Sequence, residues 1–203
     1  MRNLFVVSAV GLTAALLSSP PAVSQDTSGW TDLLGRDLKD WTRMGDGKNP
    51  WRLTADRTLI CGPATDGYAP DQDFGDGTLK FEYRFRPTGE KTGYKANLTV
   101  RRTEGGTGCK IALGDTCGTM TGTYQGSSDR QLEVESKPAA PPGRAPGEWN
   151  LVKVQLKGKS VSATINGRPA GSFDKCDTTR GIVVFEPDGS EIEFRHIHWK
   201  AEK

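Results

Sequence analysis

The stretch that decides the fold runs from residue 149 to residue 169 and reads Trp149-Asn-Leu-Val-Lys-Val-Gln-Leu-Lys-Gly-Lys-Ser-Val-Ser-Ala-Thr-Ile-Asn-Gly-Arg-Pro169. The apolar residues from Val152 to Leu156 alternate with polar ones, which is the period of a strand with one buried face. A second alternating run covers residues 161–165, and Asn166-Gly167 then supplies residues suited to positive φ in a tight turn. The pattern predicts an antiparallel meander.

The same alternation recurs along the chain, most clearly at residues 78–86, where Leu, Phe, Tyr and Phe alternate with charged residues. Further strands are predicted at 51–54 and 58–61 about a turn at 55–57, and at 96–102, 109–113, 181–185 and 191–200. The 25 Gly and 12 Pro predict few helices, and the Pro- and Gly-rich residues 136–147 predict a long surface loop with polyproline character. About ten to twelve short strands of this kind predict an all-β sandwich or jelly roll.

The first 24 residues have the features of a secretory signal peptide. Arg2 is followed by a largely apolar run from Leu4 to Leu17, and Ala22-Val23-Ser24 is a small-residue cleavage site. The apolar run is short for a membrane span, and no Cys near the cleavage point offers a lipid anchor. The sequence therefore predicts a single domain over residues 25–203, periplasmic or secreted, with no membrane attachment once the signal is removed.

The charge balance gives no reason to expect a nucleic-acid partner. Lys and Arg number 27 and Asp and Glu number 25, for a formal net charge of +2. No basic run has the density that nucleic-acid binding requires, and export makes such a partner unexpected.

Four cysteines, Cys61, Cys109, Cys117 and Cys176, remain after the leader. An even count in an oxidising compartment favours two disulfides, and four cysteines allow three pairings. The favoured pairing joins Cys109 to Cys117, closing a short loop, and Cys61 to Cys176. The alternative is a metal site, which these spacings do not favour.

Several short motifs resemble, in order, those of a known family. They are Leu34-Gly-Arg-Asp-Leu-Lys-Asp-Trp41, Gly75-Asp-Gly-Thr-Leu79, Pro146-Gly-Glu-Trp-Asn150, Ile165-Asn-Gly167, Gly181-Ile182 and Phe194-Arg-His-Ile197. The family is the domain of unknown function 1080, also described as the 3-keto-disaccharide hydrolase or 3-keto-glucoside lyase/hydratase domain. The resemblance covers nearly the whole chain after the leader. It implies a concanavalin-like jelly roll, export, and action on oxidised sugars.

The chain departs from the family's pattern at polar positions of the implied cleft. Lys110 stands where the family has Glu, Ala112 where it has Gln, and Glu186 where it has Gln, whereas Asp115 is kept. Lys110 and Glu186 are therefore expected to exchange a charge pair across the cleft. The alternative is that both are solvated strand residues.

Cleavage next to a 3-keto group needs a base for the C2 proton, a cation or donors for the enolate, and an acid for the leaving group. The resemblance implies Asp115, Glu186 and Lys110 as catalytic residues. It further implies four substrate-binding residues, which are Arg101, Asp188, Tyr124 and Arg195.

Two functions fit these residues: an exported enzyme, a hydrolase or lyase/hydratase, that cleaves 3-keto-glycosides or related sugars, and a non-catalytic carbohydrate-binding module on the same scaffold. A structural surface domain without a sugar ligand is a third.

Other residue groups give weaker expectations, and no cofactor is assigned. Asp71, Asp73 and Asp76 form an acidic loop that could bind Ca²⁺, although a solvated loop is the favoured alternative. His196 and His198 lie two apart on a predicted strand and could begin a divalent metal site, but no third ligand is evident. The five Trp are expected mainly in the core, with one exposed Trp available to stack on a sugar ring.

Overall fold

The structure is a computed structural model that describes residues 29–46, 48–89, 92–126 and 131–202. The predicted signal peptide lies outside these residues. The described residues form strands and turns without a helix. None of them belongs to a helix long and apolar enough to cross a membrane.

The described residues form fifteen strands. They are β1 (Thr31–Asp32), β2 (Trp41–Met44), β3 (Trp51–Leu53), β4 (Leu59–Cys61), β5 (Gly67–Pro70), β6 (Gly77–Phe85), β7 (Asn97–Arg102), β8 (Gly108–Ala112), β9 (Met120–Gln125), β10 (Gln131–Ser136), β11 (Asn150–Lys157), β12 (Ser160–Ile165), β13 (Arg168–Phe173), β14 (Ile182–Glu186) and β15 (Ile192–Ala201).

The strands form two antiparallel sheets. The first sheet has the order β13-β12-β11-β6-β15-β4-β3, with β1 also paired to β15. The second sheet has the order β10-β9-β8-β7-β14-β5-β2. The two sheets form a β-sandwich with jelly-roll architecture, which confirms the predicted all-β class.

The core lies between the sheets and follows from the alternation in the sequence. In β6 the apolar side chains from Leu79 to Phe85 are buried, and those of β11 from Val152 to Leu156 are buried beside them. Phe185 and Phe194, one from each sheet, meet edge to face with their ring centroids 5.1 Å apart. Each such buried side chain contributes about 1.5–3 kcal/mol, so these rows supply much of the driving force for folding.

The sequence underestimated the number of strands. The predicted meander of β11 and β12, the pair β3 and β4, and the long β6 are present. Six strands were not predicted: β1, β2, β5, β9, β10 and β13. The sequence of β5, Gly67-Tyr-Ala-Pro70, is buried at every position, so it lacks the alternation that marks a half-exposed strand.

Neither predicted disulfide is present, because all four cysteines are buried free thiols. Cys109 lies near the start of β8, whereas Cys117 follows the end of that strand, where Gly118 N donates to Ala112 O. The strand rises about 3.3 Å per residue. The two Cα atoms are therefore too far apart for a bridge, which requires a separation below about 7 Å.

The second predicted pair is separated by the length of the sandwich. Cys61 pairs in register with Ile192 at the start of β15. Cys176 N donates to Lys159 O, at the turn between β11 and β12, which lies at the other end of the sheet. A bridge between these two thiols would require a different fold.

A bulge in β7 decides which arginine reaches the surface. The register between β7 and β14 shifts by one residue after Thr99, and Arg101 has a positive φ of 55°. An extra residue in a strand turns the following side chains to the opposite face. Arg101 is therefore fully buried, whereas the neighbouring Arg102 lies at the surface.

Candidate functional site

The candidate site lies on the outer face of the second sheet, where β14, β7 and β8 are neighbours. Residues directly opposite each other in antiparallel strands share a face. Asn97 of β7 is opposite Glu186 of β14, and Thr99 is opposite Lys110 of β8. The register thus brings four polar side chains together: Thr99, Arg102, Lys110 and Glu186, which we call the polar cluster.

The carboxylate of Glu186 is the centre of the polar cluster. Its Oε2 accepts a hydrogen bond from Thr99 Oγ1 at 3.1 Å and lies 3.4 Å from Lys110 Nζ. Its Oε1 lies 3.7 Å from a guanidinium nitrogen of Arg102. The side chain of Glu186 is 18% exposed and that of Lys110 is 50% exposed. The ion pair expected between Lys110 and Glu186 therefore forms, with the cation facing solvent and the carboxylate partly sheltered.

Gly67 of the neighbouring strand β5 allows β5 to lie close to β14 beside Glu186. A Cβ at Gly67 would lie 2.6 Å from Val184 Cγ1 and 3.5 Å from Glu186 Cγ. The close approach of β5 to β14 thus requires glycine here, because a Cβ would collide with Val184.

Two surface cavities take in members of the polar cluster. One, of about 380 Å³, is lined by Thr99 and Lys110 together with Thr121, Thr123 and Glu133. The other, of about 440 Å³, contains Arg102. The face thus offers hydroxyl, ammonium, guanidinium and carboxylate groups at the mouths of open grooves, which are groups that hydrogen-bond to the hydroxyls of a polar ligand.

Arg101, which was predicted to bind substrate, is instead buried and links several segments of the fold by hydrogen bonds. Its guanidinium donates to the carbonyls of Phe74, at 2.8 Å, and of Thr179, and to Asp76 Oδ1 at 2.8 Å. A further bond reaches Gly158 O at 3.2 Å. Because the side chain has no exposed surface, it is out of reach of a surface ligand.

The acidic loop of Asp71, Asp73 and Asp76 contributes to the hydrogen bonds of Arg101. Asp76 Oδ1 accepts the backbone N–H of Gly158 at 2.9 Å as well as the guanidinium of Arg101. These two donors, the N–H first, hold the pKa of Asp76 below its usual value. No cluster of three or more Asp, Glu, His or Cys side chains is arranged for a metal within the part of the chain that the structure describes.

Asp115, predicted as a catalytic residue, caps a loop. It is exposed beyond the end of β8, and its carboxylate accepts the N–H groups of Gly93 at 2.6 Å and Tyr94 at 3.3 Å. It lines a separate cavity of about 740 Å³ at this end of the sandwich, whose walls include Phe85 and Arg144. Among the described residues it makes no ion pair or hydrogen bond with the polar cluster.

Asp188 and Tyr124 differ in where their side chains lie: Asp188 is exposed near the polar cluster, and Tyr124 packs against the core. Asp188 is exposed two residues after Glu186, at a φ of 46° in the turn that leads to β15. Tyr124 lies near the end of β9, where its ring packs 6.3 Å from that of Phe173 and beneath Lys175 Nζ. Asp188 is therefore next to the candidate site, whereas the ring of Tyr124 packs against the core.

Arg195 lies on the other sheet. It pairs with Glu82 at 2.6 Å, and its guanidinium lies 3.9 Å from the centre of the Trp149 ring. Partial burial of Glu82 opposes its ionisation, but Arg195 and His196 outweigh that effect and hold the pKa of Glu82 below its usual value. Because β15 belongs to the first sheet, Arg195 takes no part in the polar cluster.

The two histidines meet across a bulge in β15. The register shifts between Arg195 and His198, and His196 has a φ of 52°. The rings of His196 and His198 stack with centroids 6.4 Å apart. His196 also contacts a carboxylate oxygen of Glu82, and His198 contacts the backbone oxygen of His196. Among the described residues no set of three side chains around these histidines is arranged to hold a metal.

Comparison with known proteins places the chain in a family. The model of the 3-keto-alpha-glucoside-1,2-lyase-like domain matches residues 29–200, and the chain belongs to that family. This confirms the resemblance drawn from the ordered motifs. No curated protein matches the sequence.

Solved structures share the fold at low sequence identity. A protein of Parabacteroides distasonis described as a "putative glycosyl hydrolase" superimposes with a TM-score of 0.65 at 17% identity, covering 91% of this chain and 99% of that one. The carbohydrate-binding module CBM66 of Bacillus subtilis gives 0.59 at 9% identity, covering 80% and 96%. The β-glucanase of Bacillus licheniformis gives 0.59 at 11% identity, covering 87% and 100%. At these identities the likeness concerns the fold.

Proposed function

We propose that the protein binds a carbohydrate at the polar cluster and cleaves a glycosidic bond next to a 3-keto group. Membership of the 3-keto-alpha-glucoside-1,2-lyase-like family supports the reaction class. The observation that carries the assignment to residues is Glu186, a partly sheltered carboxylate bordered by two cations on an open face.

In this proposal Glu186 is the base. It removes the C2 proton of the sugar, and the electron pair moves towards C3 to form an enolate whose oxygen is stabilised by Arg102. The enolate then reforms the ketone, a double bond forms between C1 and C2, and the C1–O bond breaks. Lys110 or water supplies a proton to the departing oxygen. Water can then add across the double bond, which gives the free 3-keto sugar.

The test compares a 3-keto-glucoside with its unoxidised parent as substrates of the full chain. We expect release of the aglycone from the keto sugar alone. Glu186→Gln keeps the size of the side chain but removes the base, and we expect its kcat to fall by about two to four orders of magnitude, the usual contribution of a general base. The matched control is Glu191→Gln, which removes a carboxylate paired with Arg86 at 2.6 Å on the first sheet.

The two variants distinguish a role of Glu186 in catalysis from a role in folding. Activity that survives Glu186→Gln contradicts the assignment of this base. An equal loss in Glu191→Gln shows that the substitutions act through the fold.

A non-catalytic carbohydrate-binding module is the second candidate function. It is favoured by the separation of Glu186 from Asp115, because Asp115 caps a loop elsewhere and does not supply the polar cluster with a second carboxylate. Calorimetry with the keto sugar and its parent distinguishes this case, since a binding module gives heat of binding without release of product.

We also propose that the protein works outside the cytoplasm. This rests on the apolar leader of residues 1–24 and on the family resemblance. Fractionation of cells that express the full chain, with N-terminal sequencing of the exported form, tests the cleavage point after Ser24.

A further inference from the structure

We propose that the cavity beside Asp115, at the end of the sandwich, binds a small aromatic carboxylic acid. We call this cavity of about 740 Å³ the end cavity. Its volume lies within the usual range for small-molecule pockets, roughly 300–1,000 Å³. None of the described residues that line it belongs to the polar cluster, so the proposal does not depend on the proposed function.

The inner wall of the end cavity is part of the hydrophobic core. Phe85 ends β6 in the first sheet and Leu113 follows β8 in the second sheet, and both side chains are buried. Tyr94 is also buried, with its ring centroid 5.3 Å from that of Phe85. The cavity therefore reaches between the two sheets to an apolar surface that includes two aromatic rings, against which the ring of a ligand can pack.

The outer wall comes from the Pro-rich segment 136–147, which the sequence predicted as a surface loop. Pro141, Ala145 and Pro146 line the end cavity from this loop, and Pro87 lines it from the loop after β6. Proline and alanine have no side-chain rotamer freedom to lose when they are covered. This wall thus suits a flat, apolar ring at little entropic cost.

Hydrogen bonds hold the walls of the end cavity in place. The backbone N–H of Arg144 donates to Oδ1 of the buried Asn150 at 2.8 Å. On the side of β8, the backbone N–H of Asp115 donates to the carbonyl of Tyr94 at 2.9 Å. Walls that are fixed before a ligand arrives do not have to be ordered on binding, which favours affinity.

Arg144 supplies a cation at the exposed edge of the end cavity. Its Nη1 donates to the carbonyl of Trp149 at 3.1 Å, and a guanidinium has five N–H groups, so others can meet a ligand. Among the described residues no carboxylate forms an ion pair with Arg144. The carboxylate of Asp115 is instead bound by the N–H groups of Gly93 and Tyr94. A carboxylate is the group that a guanidinium binds best, through two parallel hydrogen bonds.

A sugar fits the end cavity less well than an aromatic acid. Each sugar hydroxyl that leaves water needs a hydrogen-bond partner. Among the described lining residues only Thr92 and Tyr94 carry a hydroxyl group, and that of Tyr94 already meets Thr88 at 3.1 Å. An aromatic acid has its polar atoms at one end, where Arg144 can receive them, and its remaining surface is apolar.

Calorimetric titration of the full chain with cinnamate tests the proposal, with cinnamyl alcohol as the comparison. The two compounds share the ring and the side chain, and only cinnamate is charged. We expect cinnamate to bind at least tenfold more tightly than the alcohol. Arg144→Gln should weaken cinnamate at least about tenfold, the usual effect of losing a charged hydrogen bond, and should bring the two affinities together. The matched control is Arg36→Gln, an equal change of charge at an exposed residue before β2.

A second variant tests the position of the site without changing its charge. Ala145 is exposed and lines the end cavity, so Ala145→Phe places a ring in the space that the ligand would occupy. We expect this variant to bind neither compound. Urea unfolding of each variant shows whether it is folded, and if one variant does not fold the other still tests the proposal.

Four results would overturn the proposal. They are no binding of cinnamate, equally tight binding of cinnamyl alcohol, an equal loss of affinity in Arg36→Gln, and tighter binding of glucuronate than of cinnamate. Glu186→Gln should bind cinnamate as the parent protein does, so failure here is distinct from failure of the proposed enzyme.

Discussion

Replacing Arg101 by methionine tests whether this arginine stabilises the fold or contacts a ligand. Its guanidinium serves three backbone carbonyls and the carboxylate of Asp76, and it has no exposed surface. A carbonyl that loses its donor costs about 1 kcal/mol or more when it stays buried. Asp76 is 41% exposed and can be resolvated, so its lost partner adds little. We expect Arg101→Met to lower the free energy of unfolding by about 3 kcal/mol.

The adjacent arginine is the control for this experiment. Arg102 is at the surface, and its ion pair with Glu186 is 3.7 Å long. Arg102→Met should therefore lower the free energy of unfolding by less than about 1 kcal/mol. Urea unfolding at pH 7, followed by tryptophan fluorescence, measures both variants, with an unchanged m-value as the sign of two-state behaviour. Equal effects of the two substitutions, or a loss below about 1 kcal/mol for Arg101→Met, would refute the reasoning.

Three further predictions concern acid stability, packing and the thiols. The lowered pKa of Asp76 implies that its stabilising contribution is present above the unfolded pKa of about 3.9 and is lost as the pH falls through the folded pKa. Asp76→Asn should therefore reduce the loss of unfolding free energy at acid pH. The same loss in the variant as in the parent protein would contradict this prediction. Gly122→Ala should lower the free energy of unfolding by about 1–3 kcal/mol, because a Cβ there would lie 2.1 Å from the Phe173 ring. Gly62→Ala is the control: a Cβ there has nothing within 4 Å, so the substitution should have little effect on the denaturation midpoint. Burial raises the pKa of all four thiols, that of Cys61 to about 12. A thiol reagent at pH 8 should therefore label none of them in the folded protein and all four in urea, and fewer than four labelled in urea would reveal a disulfide.

The architecture was predictable from sequence wherever one face of a strand meets water. In β6 and β11 that condition holds, and the alternation gave both the strands and the buried residues. The condition fails for β5, which is buried on both faces. The family was identified from the order of the motifs and not from any single strand.

The site was predictable only in part, for two physical reasons. The bulge in β7 exchanges the faces of Arg101 and Arg102, so Arg101, the residue that the resemblance implied, is the one that is buried. The sheet to which a strand belongs is set by distant pairing, which is why Arg195 was grouped with residues of the opposite sheet. The pairing of Lys110 with Glu186 was accessible because both departures from the family pattern involve charge.

The position of the last strand bears on when the protein can fold. β15 lies between β6 and β4 in the first sheet, so Ile192 pairs with Phe85, more than a hundred residues earlier in the chain. Pairing over such separations makes folding slow, because a long loop must close before the contact forms. Because β15 is the strand that joins β4 and β3 to β6, the first sheet cannot be completed before this strand has been synthesised.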